Sequence, residues 1–452
     1  MHLAVDIGTS SVKGGLFSSA GVLSETFHSS LPSSVALIQP QVWIDAFRTG
    51  VASLPSRQKI ESVTVSGNGP TVIPVYSDGT WSEGLMWHFN VGPRPEGTVS
   101  YFLPRVRWFK DNKPDVYDRT HRFLTCPGFL SWALTGVFHA AIATDDYVPV
   151  YWSGREAESA GIDGDKLPAF IKSGELIGKV TRTGTDLTGV PEGVPVFAGG
   201  LDYLMSLLGT GTVTPGSACD RAGTSEGINY CSRIHAEHAS LRTLPHAIEG
   251  HYHISGILAS TGRVFEWLRH ITGQSQRSYV EMMEDIREVN PRYADPRFFP
   301  SNRHGATWEF ESGAFTRLHP HHSQTHMGKA VVEAIGFGIR DVLSVLKDAG
   351  FEVKQLYGSG GQMRNPVWTQ MKADIIGIPV LVPKVIDAEL IGCLCCSLVG
   401  TGEYPSLKEA SLGLVSYECS YEPDSARTAL YEESYASYLE ERDRLVAARL
   451  SE

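Results

Sequence analysis

The sequence predicts an α/β protein built as two related domains, and three observations predict it. At 452 residues the chain is longer than one hydrophobic core ordinarily organises, so two domains are expected. A strand running into a glycine-rich turn and then a helix recurs in both halves, with no short sequence repeat. The composition, 42% hydrophobic and 20% charged without low-complexity runs, is that of a globular chain. A ligand cleft between the two halves is the default expectation.

The elements follow in order. Leu3 to Phe17 reads as strand, tight polar turn and strand: residues 3, 5 and 7 are apolar, Gly8-Thr9-Ser10 supplies turn chemistry, and Val12, Leu16 and Phe17 resume the pattern. A third strand fits Gly21-Val22-Leu23, and a helix opens near Trp43. Val63-Thr-Val is a strand ending in the turn Ser66 to Pro70, followed by an antiparallel excursion through Val72–Tyr76 and Leu85–Trp87. Residues 105–112 and 127–134 read as helices, the second stopped at Gly136, and Val194 to Asp202 is again a strand entering a glycine turn before a helix over 203–210. A second α/β block begins near Gly216. Its clearest helix covers 327–349, where Met327, Val331, Ile335, Ile339, Val342 and Leu346 recur at three or four residues and Gly350 stands at the stop. Then come a strand over Val353–Tyr357, a glycine turn at Gly358–Gly361, and a helix with Asn365 as cap and Pro366 in its first turn. That helix ends at Gly377; Val380–Val382 is a strand, and Asp387 caps a helix to about Val399.

Several function classes are excluded. A net charge of −11 argues against a nucleic-acid surface or a polybasic membrane patch, so an anionic ligand would be met by local backbone donors and a metal ion. The N-terminus shows no basic region followed by an apolar run, so no signal peptide is expected, and no stretch approaches the roughly 20 apolar residues of a membrane helix. Seven cysteines form no disulfide framework. Cys393, Cys395 and Cys396 read as small apolar residues on a buried helix, and a reduced cytoplasm is the expected compartment. The histidines between Leu318 and His326, and His246, His251 and His253, read as solvated loop residues rather than metal ligands.

Four constellations carry chemistry. Asp6-Ile-Gly8-Thr9-Ser10-x-x-Lys13 offers what a nucleotide phosphate needs: unobstructed backbone N–H groups, hydroxyl donors and a carboxylate for hydrated Mg²⁺. An ordinary hairpin turn would look similar. Ala222-Gly223-Thr224-Ser225-Glu-Gly227 repeats the Gly-Thr-Ser turn in the second half. Gly199-Gly200-Leu201-Asp202 places a carboxylate where backbone can crowd a substrate; it suits a base for a hydroxyl, and equally a helix cap. Gly358-Ser-Gly-Gly361-Gln-Met-Arg-Asn365-Pro-x-Trp368-x-Gln370-x-x-Ala373-Asp374 is a glycine loop at a helix start, suited to a ribose and base. It is neither a P-loop nor a dinucleotide fingerprint.

Taken in order with Leu134-Thr-Gly136, Gly211 to Gly216 and Glu389-Leu-Ile-Gly392, these motifs resemble the FGGY carbohydrate kinases of the actin-like ATPase superfamily, from residue 3 to about 404. The resemblance implies two actin/RNase H-like domains with an interdomain catalytic cleft. Residues 1–212 would form the sugar and phosphate side, and 213–452 the adenosine side. It implies ATP and Mg²⁺ as cofactors and a small-molecule sugar or polyol as substrate, leaning to a ketopentose such as xylulose, with ribulose, gluconate or glycerol behind. A homodimer is the assembly it allows. Asp202 would be the general base and Asp6 the metal ligand. Gly8, Thr9, Ser10 and Lys13 would serve the γ-phosphate, with Gly223, Thr224 and Ser225 opposite, and Gly360, Gly361 and Asn365 would line the adenosine.

The substrate side departs from the family. Where many pentulose kinases carry Gly-Gln-Met-His-Gly, this chain has Gly67-Asn68-Gly69-Pro70-Thr71. The family's Trp-x-Asp-x-Arg appears as Trp87-His88-Phe89-Asn90-Val91, and Tyr203 follows Asp202 where a smaller polar residue is common. Asn68, Thr71, His88, Asn90 and Tyr203 are therefore the candidates for reading substrate. Two other classes remain: a non-catalytic nucleotide-binding regulator of the same fold, and a substrate-independent ATPase of the superfamily.

Overall fold

Every residue of strand β1 (His2–Ile7) is buried, as expected of a strand with neighbours on both edges and cover on both faces. The structure, a computed structural model, describes residues 1–32, 36–92, 99–289, 295–301, 308–310 and 312–450. It divides into two compact units, the first holding 1–213, 245–251 and 388–415, the second 214–244, 252–387 and 416–452.

In the first unit β1 pairs antiparallel with β2 (Ser11–Phe17), which pairs antiparallel with β3 (Leu23–Ser30). Helix α1 (Gln41–Ser53) turns Trp43, Ile44, Phe47 and Val51 into the same core as Leu3 and Val5. On the other edge β1 runs parallel to β4 (Ser62–Gly67). Beyond α2 (Leu103–Asn112) and the buried helix α3 (Cys126–Thr135), stopped by Gly136 at φ 75°, come β5 (Leu176–Lys179) and β6 (Pro195–Leu201). The six strands lie in the order β5-β6-β4-β1-β2-β3. Helix α4 (Asp202–Gly209) leaves the end of β6.

The second unit repeats the plan. Its antiparallel strands β7 (Ala218–Ala222), β8 (Glu226–Ser232), β9 (Arg242–Pro245) and β10 (Tyr252–Leu258) are followed by the 25-residue helix α5 (Gln324–Asp348). The predicted stripe Val331, Ile335, Ile339, Val342 and Leu346 is the buried face of α5. Strand β11 (Leu356–Ser359), helix α6 (Pro366–Ile376), β12 (Val380–Pro383) and, beyond the next helix, β13 (Tyr417–Tyr421) complete a sheet ordered β9-β10-β8-β7-β11-β12-β13. As in the first unit, a strand that pairs antiparallel with its successor lies parallel to a later strand: β1 with β4, β7 with β11.

Two departures from the sequence reading follow from burial. Residues 213–452 were expected to form one domain, but helix α7 (Ala388–Gly400) returns to the first unit and packs on β1, β4, β6 and α4. Leu390, Ile391, Cys393, Leu394, Cys395, Cys396 and Leu398 of α7 are all buried, so this helix needs cover around its circumference, which a sheet and a second helix provide. The expected apolar role of the three cysteines holds, and burial pushes the Cys395 thiol well up. The second departure concerns His246, His251 and His253, which are buried rather than solvated. His246 accepts from Ile248 N on Nδ1 (3.1 Å) and lies 2.8 Å from Thr212 O through Nε2, so Nε2 carries the proton; burial lowers its pKa to about 3. By contrast His319 and His321 are exposed in the loop before α5. Among the described residues no helix is long and apolar enough to cross a membrane.

The α4–α7 crossing is set by glycines. A Cβ on Gly392 would lie 2.1 Å from Met205 O, and one on Gly209 would lie 1.8 Å from Ala388 O. Backbone stands on the other side of each contact, so no side chain can swing away. Gly392→Ala is expected to destabilise the protein by about 1–3 kcal/mol, read as a lower Tm in calorimetry; an unchanged Tm would mean the helices can separate at little cost.

Candidate active site

The functional side chains of the first unit gather where its parallel strands end, the edge at which open α/β sheets meet ligands. Asp6 stands opposite Ser66 on β4 and opposite Lys13 on β2. The β6–β4 ladder is irregular between Ala198 and Gly200, and a Cβ on Gly199 would lie 2.1 Å from Val65 O. Gly199 thus lets β6 approach β4 closely, and the strand then hands Asp202 to the first turn of α4. There Tyr203 N donates to Asp202 Oδ1 at 2.6 Å.

A third carboxylate, not singled out in the sequence, joins them: Glu389, in the first turn of α7. Its effect is felt at Asp6, which is 6% exposed. Burial, then Glu389, then Asp202 push the Asp6 carboxyl up to about 8, against the opposing influence of the Ser66 hydroxyl and Lys13. Ser66 Oγ donates to Asp6 Oδ1 at 2.6 Å. The buried thiol of Cys126 is raised by the same carboxylates, Asp6 and Asp202, after its own burial. Carboxylates gathered at one place suit a hard divalent cation. Among the described residues no three His, Cys, Asp or Glu side chains are arranged to hold a metal. Mg²⁺ is ordinarily held by one or two carboxylates together with water and substrate phosphates, so the residues present fit it.

Beside Asp6 the Gly8–Ser10 turn is closed by Gly8 N donating to Ser11 O at 2.9 Å, and Leu31 N donates to Ser10 O at 2.8 Å. Asn68 and Thr71 were expected to read substrate hydroxyls, but their polar atoms are engaged internally. Asn68 Nδ2 donates to Ile7 O (3.1 Å) and Gly8 O (3.3 Å). Thr71 Oγ1 donates to Asn68 Oδ1 (2.6 Å) and accepts from Trp87 N (3.1 Å). Since Asn68 is 3% and Thr71 0% exposed, the pair ties the 87 segment to the phosphate-type turn instead of facing solvent. Trp87 adds a direct link, its Nε1 donating to Thr9 Oγ1 at 2.9 Å.

His88 and Asn90 are exposed, His88 edge-on to the Trp87 ring and Asn90 Oδ1 accepting from Gly92 N at 2.9 Å. Tyr203 is half-buried, its hydroxyl 3.3 Å from that of Tyr147. The sequence reading missed Arg105 on α2. Its buried guanidinium donates to Met86 O and Phe89 O at 3.1 Å each, and to Trp87 O. Among the described residues no carboxylate pairs with it, and burial lowers its pKa to about 10. It clamps the 86–89 backbone. An arginine 18 positions along offers no local signal for this.

In the second unit Gly223, Thr224 and Ser225 are exposed at the tip of the β7–β8 hairpin, where Gly223 N donates to Ser225 O at 3.0 Å. Gly360 has φ 87° and crowds this strand end, since a Cβ there would lie 2.4 Å from Ala222 O. Gly361, open to solvent, follows it. Asn365 is the predicted cap: Oδ1 accepts from Val367 N and Trp368 N at 3.1 Å each. Its Nδ2 donates to Tyr279 O at 3.2 Å, so this side chain is committed to holding the loop.

Paired units of this topology, each with a Gly-Thr-Ser turn joining its first antiparallel strands, define a two-domain protein of the actin-like ATPase type. Within that class the chain belongs to the FGGY family of carbohydrate kinases: the family's N-terminal domain matches residues 97–209 and its C-terminal domain residues 221–400. The chain is 26% identical to a xylulose kinase of Lactococcus lactis over 474 residues, covering 96% of this chain and 94% of that one. It superposes on a ligand-bound xylulose kinase from Lactobacillus acidophilus with TM-score 0.83 at 19% identity, over 99% of this chain and 98% of that one. A gluconate kinase from the same organism superposes with TM-score 0.82 at 18% identity, over 99% and 98%.

Two predictions follow from the geometry. The Asp6 carboxyl, ordinarily near 3.8, titrates near 8 in the fold, so its contribution to stability is full below pH 3.8 and is lost as pH rises through about 8. Asp6→Asn should therefore raise the Tm of nucleotide- and metal-free protein at pH 9, the gap closing toward pH 4; a lower Tm across the whole range would refute this. Arg105→Met should remove the guanidinium donor from the Met86, Trp87 and Phe89 carbonyls. Their segment's amides should then exchange about tenfold faster or more in hydrogen-exchange mass spectrometry, with β1 and β4 unaffected.

Proposed function

We propose that the chain transfers the γ-phosphoryl group of ATP to a hydroxyl of a sugar, leaning to a ketopentose such as xylulose. The observation that carries this reading is Asp202 held at the start of α4, at the same strand ends as Asp6 and Glu389. A carboxylate there can accept the proton of a substrate hydroxyl. The substrate hydroxyl gives its proton to Asp202 as its oxygen bonds to the γ-phosphorus. The bond from that phosphorus to the β,γ-bridging oxygen breaks, and ADP departs with the electron pair. Phosphoryl transfer asks the protein mainly for positioning and charge neutralisation.

In this reading Asp6 holds Mg²⁺, which would supply charge neutralisation at the phosphates. Gly8, Thr9, Ser10 and Lys13 serve the γ-phosphate. In the second unit Gly223, Thr224 and Ser225 take phosphates, and Gly360 and Gly361 take the adenosine on a loop anchored by Asn365. His88, Asn90 and Tyr203 are the substrate contacts, on a segment placed by Asn68, Thr71 and Arg105. The lean to xylulose rests on the full-length likeness to a xylulose kinase. Fold alone does not discriminate, because a gluconate kinase superposes as well as a xylulose kinase does. Six buried free cysteines suit a reducing cytoplasm. The non-catalytic reading has no observation in its favour.

The test is ADP release with Mg-ATP across xylulose, ribulose, gluconate and glycerol, with wild type beside Asp202→Asn. One or a few compounds should stimulate release. The variant should lose about 10²–10⁴-fold in kcat, with KM for both substrates within a few-fold. Wild-type activity in the variant would remove Asp202 as the base. No stimulation by any compound, with ATP still bound, would remove the kinase reading.

A further inference from the structure

Beneath the exposed Gly223–Ser225 turn lies a buried charged trio that no step of the reaction uses. Asp220 on β7 and Glu226 at the start of β8 flank the turn, and both bond the ammonium of Lys372 from the middle of α6. Lys372 Nζ lies 2.5 Å from Asp220 Oδ2 and also donates to Glu226 Oε1. The three side chains are 0%, 1% and 2% exposed for Asp220, Glu226 and Lys372.

Two carboxylates and one ammonium would leave a net negative charge buried directly under a turn meant for phosphate. Burial and then Glu226 raise the Asp220 carboxyl well above its ordinary range, which favours its neutral form. Burial alone would lower Lys372, but Asp220 and Glu226 outweigh it and hold the ammonium charged. Asp220 Oδ1 and Glu226 Oε2 have no hydrogen-bond partner outside the trio. Its geometry is fixed by the bonds from Lys372 to both carboxyls.

Such a group is a poor source of stability compared with apolar packing, but it holds one arrangement against alternatives. The arrangement held here is that of two loops. The turn is braced above by Gln362 Nε2 donating to Gly223 O (3.3 Å) and Arg263 N donating to Thr224 O (3.2 Å). Strand β7 lies parallel to β11, with Asp220 opposite Gly358, and β11 leads into the glycine loop that opens α6. Lys372, two helical turns further on, reaches back to the strands on either side of the turn.

We propose that Lys372 is a positioning residue for ATP: bonded to the two carboxyls that flank the Gly223–Ser225 turn, it locks that turn against the helix whose opening loop takes the adenosine. This rests on the reading of both loops as nucleotide contacts. A phosphate site that shifts relative to an adenosine site loses affinity for a ligand that must meet both.

Three variants test it: Lys372→Met, Lys372→Arg, and the uncharged triple Asp220→Asn/Glu226→Gln/Lys372→Met. Each is measured for Tm, for binding of a non-hydrolysable ATP analogue by calorimetry, and for KM of ATP and of sugar. Lys372→Met should lower Tm by leaving two acids without their cation, and the triple should recover much of that loss. All folded variants should bind the analogue about tenfold or more weakly, with KM for sugar within twofold of wild type. Wild-type analogue affinity in any folded variant overturns the proposal, as does an equal loss toward ATP and sugar. Lys372→Arg keeps the charge while moving its donors, and the triple removes all the charges together, so the test does not depend on one variant. Failure of wild type itself to bind the analogue would instead overturn the functional reading on which this rests.

Discussion

Burying Asp6 at the end of β1 costs free energy that the first unit does not recover by itself. A carboxylate 6% exposed, with Asp202 and Glu389 near it and only Ser66 and Lys13 to favour its charge, resists ionisation up to about pH 8. Such a group persists because surrounding structure over-determines its place. β1 is fixed by pairing on both edges and by α7 packed on it, and it shares its core with α1. Burial and like-charged neighbours, Glu389 and Asp202, both act against the ionised form of Asp6.

The same requirement explains the glycines around the site. Each carboxylate comes from a different element, β1, the start of α4 and the start of α7, so these must approach more closely than side chains allow. Gly199 admits the Val65 carbonyl, and Gly209 and Gly392 admit the backbones of Ala388 and Met205. In the second unit Gly360 does the same against Ala222, drawing the loop that opens α6 onto the hairpin that carries Gly223. At these contacts a side chain would have to displace backbone, so the elements can meet this closely only at glycine.

Polar side chains near the site divide by whether their bonds are satisfied within the chain. Asn68 and Thr71 link the turn after β1 to Trp87, and Asn365 caps α6 while holding the carbonyl of Tyr279. Arg105 gathers the carbonyls of the 86–89 segment. These residues determine where the exposed groups stand, and specificity in a sugar site depends on that placement because an unmatched hydroxyl-binding group is costly.

The sequence by itself determined the two-unit α/β plan, the strand–turn–strand openings at Asp6 and Gly223, the buried face of α5, the Asn365 cap and the family. Each depends on neighbours within a few positions: alternation, helical periodicity, or turn and cap residues. It missed the length of β3, whose polar residues from Leu23 to Ser30 alternate in exposure at the sheet edge and carry little apolar signal. Only the tertiary structure decided that α7 returns to the first unit, that Glu389 joins Asp6, that His246 is buried and neutral, and that Lys372 reaches Asp220 and Glu226. The physical reason is the same for all four. Burial and charge interaction between residues up to 383 positions apart, as in the repulsion of Asp6 by Glu389, arise only when separate elements are packed, and no local pattern encodes which elements will meet.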